Sequence, residues 1–242
     1  MELAERQKQL LRAIVEKYIE TAEPVGSETI EKEAGLGVSP ATIRNEMVKL
    51  TKSGFLKQLH TSAGRIPTST AIKFYVNQLM KEKTLPVKDE AAIKEEIWDY
   101  RYQYDKLIRC ATKSLADYTK ALALATTDDG EVYSAGTANI LDIPEFYDID
   151  LTKSVLSLLD RFDTLNQLFS YSASADPIQI LLGDEIPIEY LEPVGFVYTR
   201  FAAGRNHQGV IGVVGPARLN YPVVIPTVRY FGNLINDLAA AW

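Results

Sequence analysis

Between Ser39 and Arg65 the chain gathers residues whose types and spacing suit hydrogen bonding to base edges and phosphates. Ser39, Ala41, Thr42, Arg44, Asn45, Lys49 and Lys52 fall within one helical length, and His60, Thr61, Ser62 and Arg65 follow in a short turn region. Ile43, Met47 and Leu50 repeat at helical spacing and form the buried stripe of that helix. The remaining surface is small and polar at its start and cationic along its length, with Glu46 as its one acid, placed near the edge. A helix of this kind suits the major groove of DNA. Arg65, beside the turn, is positioned to reach phosphate or the minor groove.

Other chemistry is thin. Asp128, Asp129 and Glu131 cluster, but on a turn, where acids are common. Cys110 has no histidine near it in sequence, and two histidines, His60 and His207, with one cysteine are too few for a His/Cys zinc site. No GxSxG, phosphate-loop or HExxH pattern occurs. Gly212 to Gly215 reads as a strand ending in a turn. The expectation is no catalysis, no metal and no cofactor.

The elements that must position the polar helix are readable. Glu5 to Thr21 is amphipathic, with Leu10, Leu11, Ile14, Val15, Tyr18 and Ile19 on one side. Pro24 and Gly26 break it, Ser27 caps a short second helix, and Gly35 ends that helix. Ser39 then caps the next helix, with Pro40 at its first position, where a missing N–H does no harm. Helix, glycine-containing turn, helix is the helix-turn-helix pattern. Phe55 to His60 reads as a strand, Thr61 to Gly64 as a turn and Arg65 to Pro67 as the return, which together make a wing. Thr68 or Ser69 caps a further helix running to Lys83.

Leu85-Pro86-Val87 reads as a linker, followed by one long helix from about Asp89 to Thr119. Its apolar positions, Ile93, Ile97, Tyr100, Tyr104, Leu107, Ala111 and Leu115, approximate a heptad seam with tyrosines at its centre. That seam has two readings: a dimer contact, carried by Ile93, Ile97, Tyr100, Tyr104 and Leu107, or packing on the C-terminal half. Beyond it, strands at Ala121–Thr126, Glu131–Ser134, Ile178–Leu182, Gly195–Ala203 and Gly209–Val214 interleave with helices at Leu151–Leu159, Leu165–Tyr171 and Pro222–Leu238. This is an α+β arrangement dominated by hairpins.

Composition bounds the rest. The 242 residues carry 26 basic and 32 acidic side chains, yet the sign is segregated. Residues 1–34 have a net charge of −3, residues 35–83 of +6 and the remainder of −9. A basic block in an acidic chain is a local footprint for phosphate. No apolar run spans a bilayer, the charged start MELAERQKQLL has no signal-peptide core, and the lone cysteine fits a reducing cytoplasm.

The segments ERQKQLLRAIVEKYIETAEPVGSETI, GLGVSPATIRNEMVKLTKSGFLKQLHTSAGRIPT, AGTANILDIPEF and GVIGVVGPARLNYPVVIP, in this order, strongly resemble the heat-inducible transcription repressor HrcA family. The resemblance implies a winged-helix DNA-binding domain over 1–84, a linking helix over 85–119 and a GAF-like domain over 120–242. It also implies a cytoplasmic homodimer that represses chaperone genes at the CIRCE inverted repeat, with the chaperonin GroEL keeping the repressor active. Family members carry an inserted dimerising domain before the GTANILD motif. Only Thr119 to Ser134 lies there in this chain, so the insert is expected to be absent. The alternative reading is a regulator whose GAF-like domain binds a small molecule.

Overall fold

The computed structural model describes residues 3–60, 63–170, 176–186, 188, 190–204 and 207–239. The chain forms two compact units, Met1–Lys81 and Glu82–Trp242. No described helix is long and apolar enough to cross a membrane.

The first unit opens with α1 (Glu5–Thr21), α2 (Ser27–Ala34) and α3 (Pro40–Lys52). Leu10, Leu11, Ile14 and Val15 of α1 meet Ile30 of α2 and Ile43, Met47 and Leu50 of α3 in one core. Gly35 ends α2 in the left-handed region at φ 57°, where a side chain would add strain. The Ser39 hydroxyl accepts the Thr42 amide at 3.3 Å and caps α3, as expected. Ser27 does not cap α2: Gly26 takes the N-cap position, and no side chain caps that helix.

The wing is shorter than its sequence suggests. β1 (Leu56–Lys57) pairs antiparallel with β2 (Ile66–Pro67), in place of a strand from Phe55 to His60. Pro67 has no N–H to extend the ladder. The chain just before it pairs elsewhere, because Arg65 and Val25 exchange both backbone hydrogen bonds at 2.9 Å. Thr61 and Ser62 lie outside the described residues. Thr68, the cap of α4 (Ser69–Phe74), accepts the Ala71 amide at 3.3 Å. Phe74 packs edge-on against Phe55 at 5.4 Å. A wide turn at Tyr75–Leu79 closes the unit.

The second unit corrects the long helix. α5 (Val87–Trp98) and α6 (Tyr104–Thr119) are separate and fold back on each other, with Ser114 donating to the Glu96 carboxylate at 3.1 Å. Arg101 donates to the Trp98 carbonyl at 2.9 Å where α5 ends. Ile93, Ile97 and Leu107 are fully buried inside this unit, and Tyr100 and Tyr104 are half-buried. The seam therefore packs within its own chain, the second of the two readings. The segment 85–119 is a helical hairpin of the C-terminal unit, not a free linker. Doubling back buries Ile93 and Ile97 at once, where a straight rod leaves them in water until a partner arrives.

Five strands follow: β3 (Leu122–Thr127), β4 (Val132–Ala135), β5 (Ile178–Leu182), β6 (Val194–Ala203) and β7 (His207–Pro216). They form one antiparallel sheet in the order β4-β3-β7-β6-β5. α7 (Ile149–Leu158) and α8 (Phe162–Ser170) pack with Leu122, Leu124, Phe196, Tyr198 and Val214. α6 and α9 (Tyr221–Ala239) also lie against the sheet. Every residue of β3 is buried, as covering on both faces requires.

Pro226 sits inside α9 and cannot donate to the Pro222 carbonyl. That carbonyl accepts from the Lys83 amide at 2.8 Å instead. Glu82 is gripped by both Arg229 Nη atoms, at 2.6 and 2.8 Å. The start of the second unit is thus pinned to its final helix.

Close approach of α9 to the sheet depends on Gly232, where a Cβ would lie 2.4 Å from Thr199 Cγ2. The Thr199 hydroxyl donates to the Pro177 carbonyl at 2.8 Å, so Thr199 cannot simply rotate away. Overpacking costs about 1–3 kcal/mol, more than the roughly 1 kcal/mol that alanine gains over glycine in a helix. Gly232→Ala is therefore expected to lower the melting temperature followed by circular dichroism. Adding Thr199→Ser, which removes the methyl and keeps the hydroxyl, is expected to restore it.

Candidate nucleic-acid interface

α3 is held from one side only. Ile43, Met47 and Leu50 are buried, while Ala41, Arg44, Asn45, Lys49 and Lys52 are exposed, with Ser39 beside them at the cap. Thr42 is half-buried, its hydroxyl 3.1 Å from that of Ser39. This follows from the spacing: positions 43, 47 and 50 share a face, and positions 41, 44, 45, 49 and 52 fall around the rest.

Glu46 departs from the sequence expectation. It belongs to the buried stripe, with its side chain only 6% exposed. Lys49 Nζ at 2.9 Å, Arg6 Nη2 at 3.0 Å and Gln7 Nε2 at 3.0 Å all donate to its carboxylate. Hydrogen bonds from Lys49, then from Gln7 and Arg6, hold the carboxyl below its ordinary range, against the opposing effect of burial. Lys49 is thus partly neutralised, whereas Arg44 and Lys52 make no described ion pair or side-chain hydrogen bond.

His60 lies exposed on the wing. Arg65 is not a free loop arginine: its Nε donates to Thr51 Oγ1 at 3.2 Å and its Nη1 to the Ala63 carbonyl at 3.4 Å. This turns the wing arginine toward the C-terminal half of α3. The bridge from Arg65 to Val25 requires Gly64, because a Cβ there would lie 2.6 Å from the Val25 carbonyl carbon and oxygen.

These contacts enclose a groove of about 410 Å³, lined by Gly26, Ser27, Arg44, Gln58, Gly64 and Arg65 among others. Sequence reasoning joined Arg44 and Arg65 to one surface but missed Gly26, Ser27, Gln58 and Gly64. A glycine just before the wing arginine was the available signal. Nothing in the local spacing links residue 64 to residue 25. Cys110 lies elsewhere, on α6, where burial pushes its thiol up, and no described cluster of His, Cys, Asp and Glu is suited to a metal ion.

A helix-turn-helix whose second helix leaves a small, polar and cationic face uncovered, followed by a two-stranded wing, defines a winged-helix DNA-binding protein. Residues 2–82 match the family model described as the winged helix-turn-helix transcription repressor, HrcA DNA-binding, and residues 43–225 match the HrcA protein C-terminal domain. The chain is 28% identical to the heat-inducible transcription repressor HrcA of Clostridium acetobutylicum, covering 98% of both proteins. It is also 28% identical to the protein of that name from Desulforudis audaxviator, over 95% of this chain and 96% of the relative. A crystal structure of a hypothetical protein shares the fold, with a TM-score of 0.78 at 18% identity over 99% of each chain. The chain belongs to the HrcA family, and its first unit is that family's DNA-binding winged helix.

A group whose pKa is lowered on folding stabilises the fold above its unfolded pKa, and that contribution fades as pH falls through the folded value. Glu46 is such a group, so the first unit should lose stability as acid protonates the carboxylate below its ordinary 4.5. Glu46→Gln is expected to cost about 1–3 kcal/mol at neutral pH, the range for hydrogen bonds to a charged group. It should also flatten the acid limb of the stability–pH curve. Urea titrations of wild type and variant from pH 3 to 7 measure both effects, and parallel curves would show that Glu46 carries no such load.

Proposed function

We propose that this chain represses heat-inducible chaperone genes by occupying a CIRCE-type inverted repeat as a homodimer, without catalysis. The observation that carries the reading is the uncovered face of α3. Ser39, Ala41, Thr42, Arg44 and Asn45 are assigned to base edges in the major groove. Lys49, Lys52, His60, Thr61, Ser62 and Arg65 are assigned to the backbone. Short residues at the helix start allow close approach, and a single amide such as Asn45 suits bidentate pairing with adenine. Two-fold symmetry in a repressor matches an inverted repeat, one half-site per protomer.

The second unit is assigned a regulatory and assembly role as a GAF-like domain, with GroEL as its effector. In the alignment to the Clostridium acetobutylicum relative, 338 positions face a chain of 242 residues, at least 96 more than this chain can fill. That excess, together with the short β3–β4 hairpin, supports the absence of the family's inserted domain.

Fluorescence anisotropy on the inverted repeat and on a scrambled duplex, across a salt series, tests the docking. Asn45→Ala is expected to weaken repeat binding by about 10–100-fold and leave scrambled binding unchanged, as loss of a base contact of about 1–3 kcal/mol requires. Lys52→Ala is expected to weaken both duplexes alike and reduce the salt slope by about 0.9, the value for one phosphate. Wild-type binding by both variants would overturn the docking.

A further inference from the structure

The five-stranded sheet ends differently at its two edges. β5, at one edge, has outward amides occupied from its own chain. The Ile178 amide donates to Asp176 Oδ1 at 3.0 Å and the Leu182 amide to Glu185 Oε2 at 3.1 Å. Carboxylates placed this way keep another strand from adding to that edge. β4, at the other edge, has no such guard among the described residues. The Thr127 amide donates to the Glu131 carbonyl at 3.1 Å, and Tyr133 faces Ala125 in the same register. Alternation along an antiparallel pair then turns the backbone of Tyr133 toward β3 and that of Val132 and Ser134 away from it. No described group bonds the Val132 or Ser134 amide. Ser134 is exposed and Val132 half-buried. α6 brings charges of both signs to the same place. The Tyr133 hydroxyl donates to Asp105 Oδ1 at 3.3 Å, and the Arg109 guanidinium lies over the Tyr133 ring at 5.2 Å. Asp105 and Arg109 are both exposed, one turn apart on α6, and form no described ion pair.

We infer that the β4 edge is the contact between two copies of this chain: β4 pairs antiparallel with β4 of the second copy about a two-fold axis at Tyr133, carrying the sheet across both chains. The inference rests on the homodimer proposed above and names its surface. With the axis there, Val132 lies opposite Ser134 of the second copy, and the two exchange backbone hydrogen bonds on each side of the axis. Glu131 lies opposite Ala135, so the acids of the β3–β4 turn do not face their own copies, an arrangement that like charges would oppose. Because Asp105 and Arg109 flank Tyr133, the same axis sets Asp105 of each chain across from Arg109 of the other. A surface that pairs with itself needs this, since each group must find its complement on an identical patch. An extended peptide would satisfy the strand but offers nothing fixed for the two charges. Two short strands alone hold weakly, so the α6 charges add to the ladder. Neither Asp105 nor Arg109 belongs to the buried seam of α5 and α6.

Sedimentation velocity of the full chain over a concentration series tests the contact. Wild type is expected to be a dimer at micromolar concentration. Ser134→Pro removes an outward amide without touching the bonds to β3, and Arg109→Asp sets like charges across the axis. Each is expected to raise the dimer Kd about tenfold or more, with the circular dichroism spectrum unchanged. Adding Asp105→Arg to Arg109→Asp reverses both charges and keeps the pairing across the axis. This double variant is expected to return Kd to within about threefold of wild type. The rescue separates a contact between chains from a structural role of Arg109 over Tyr133, and it decides the matter even where Ser134→Pro fails to fold. Hydrogen exchange followed by NMR should also slow at the Val132 and Ser134 amides as the wild-type concentration rises. If wild type is dimeric and Arg109→Asp leaves it so, or if the double variant does not recover, the interface lies elsewhere and the homodimer stands. A wild type that is monomeric throughout the series, and binds the inverted repeat as independent half-sites, would overturn the contact and the homodimer together and leave the edge to an extended peptide.

Discussion

A helix that must present a bare face to DNA has only its other face with which to hold on, and the first unit is organised around that constraint. α3 is anchored by Ile43, Met47 and Leu50 against α1 and α2. Between these positions lies Glu46, buried and charged. A lone carboxylate in such a place costs several kcal/mol, and Arg6 and Gln7 of α1 offset this by donating to it. The same contacts fasten α1 to α3 by directional bonds, which a stripe of three apolar side chains does not supply. Lys49 belongs to this joint as much as to the cationic face. The exposed positive charge of α3 is therefore concentrated at Arg44 and Lys52.

The wing obeys the same logic from the other side. Its two-stranded ladder, Leu56–Lys57 with Ile66–Pro67, is too short to be stable alone. It is extended by the Val25–Arg65 bridge and by Arg65 reaching Thr51. The wing is thus tied both to the turn that starts α2 and to the end of α3. Any displacement of the wing would carry Arg65 with it, so the turn before α2, the end of α3 and the wing are tied together at Arg65. Short local elements become a precise surface because distant backbone, residue 25 against residue 65, closes the loop between them.

Where local chemistry decides the structure, the sequence was readable. Ser39-Pro40 marks a helix start by cap and by fixed φ, Gly35 marks a helix end by its left-handed backbone, and Ile178–Leu182, between Pro177 and Gly183, is a strand with both bounds as expected. Misreadings arose where residue type and position disagreed, or where tertiary contact decided. Glu46 lies three residues after Ile43 and four before Leu50, on the buried face by spacing, yet its charge argued for the edge. Ser27 is a cap by type, but the turn places Gly26 at that position. The break at Asp99–Gln103 is invisible to periodicity, because a heptad pattern records which side chains are buried and not whether the helix turns back to bury them. Pro226 inside α9 is tolerated because Lys83 takes up the orphaned carbonyl, a contact across 139 residues of sequence that no local reading supplies.

The hairpin of α5 and α6 bears directly on how two chains would associate. Ile93, Ile97, Leu107, Ala111 and Leu115 have no exposed surface within one chain. A coiled coil built on that seam would first uncover it, at roughly 1.5–3 kcal/mol for each large side chain, and then recover the same amount against the partner. Exchanging one cover for another leaves the buried apolar area unchanged, while association still costs translational and rotational freedom. The net driving force for the proposed two-fold assembly must therefore come from surface that a single chain leaves in water. On α5 and α6 that surface does not include the seam. A repressor that retained its dimer after losing an inserted domain would have to rely on such outer surface, and the apolar periodicity of residues 93–115 records the folding of one chain and not the pairing of two.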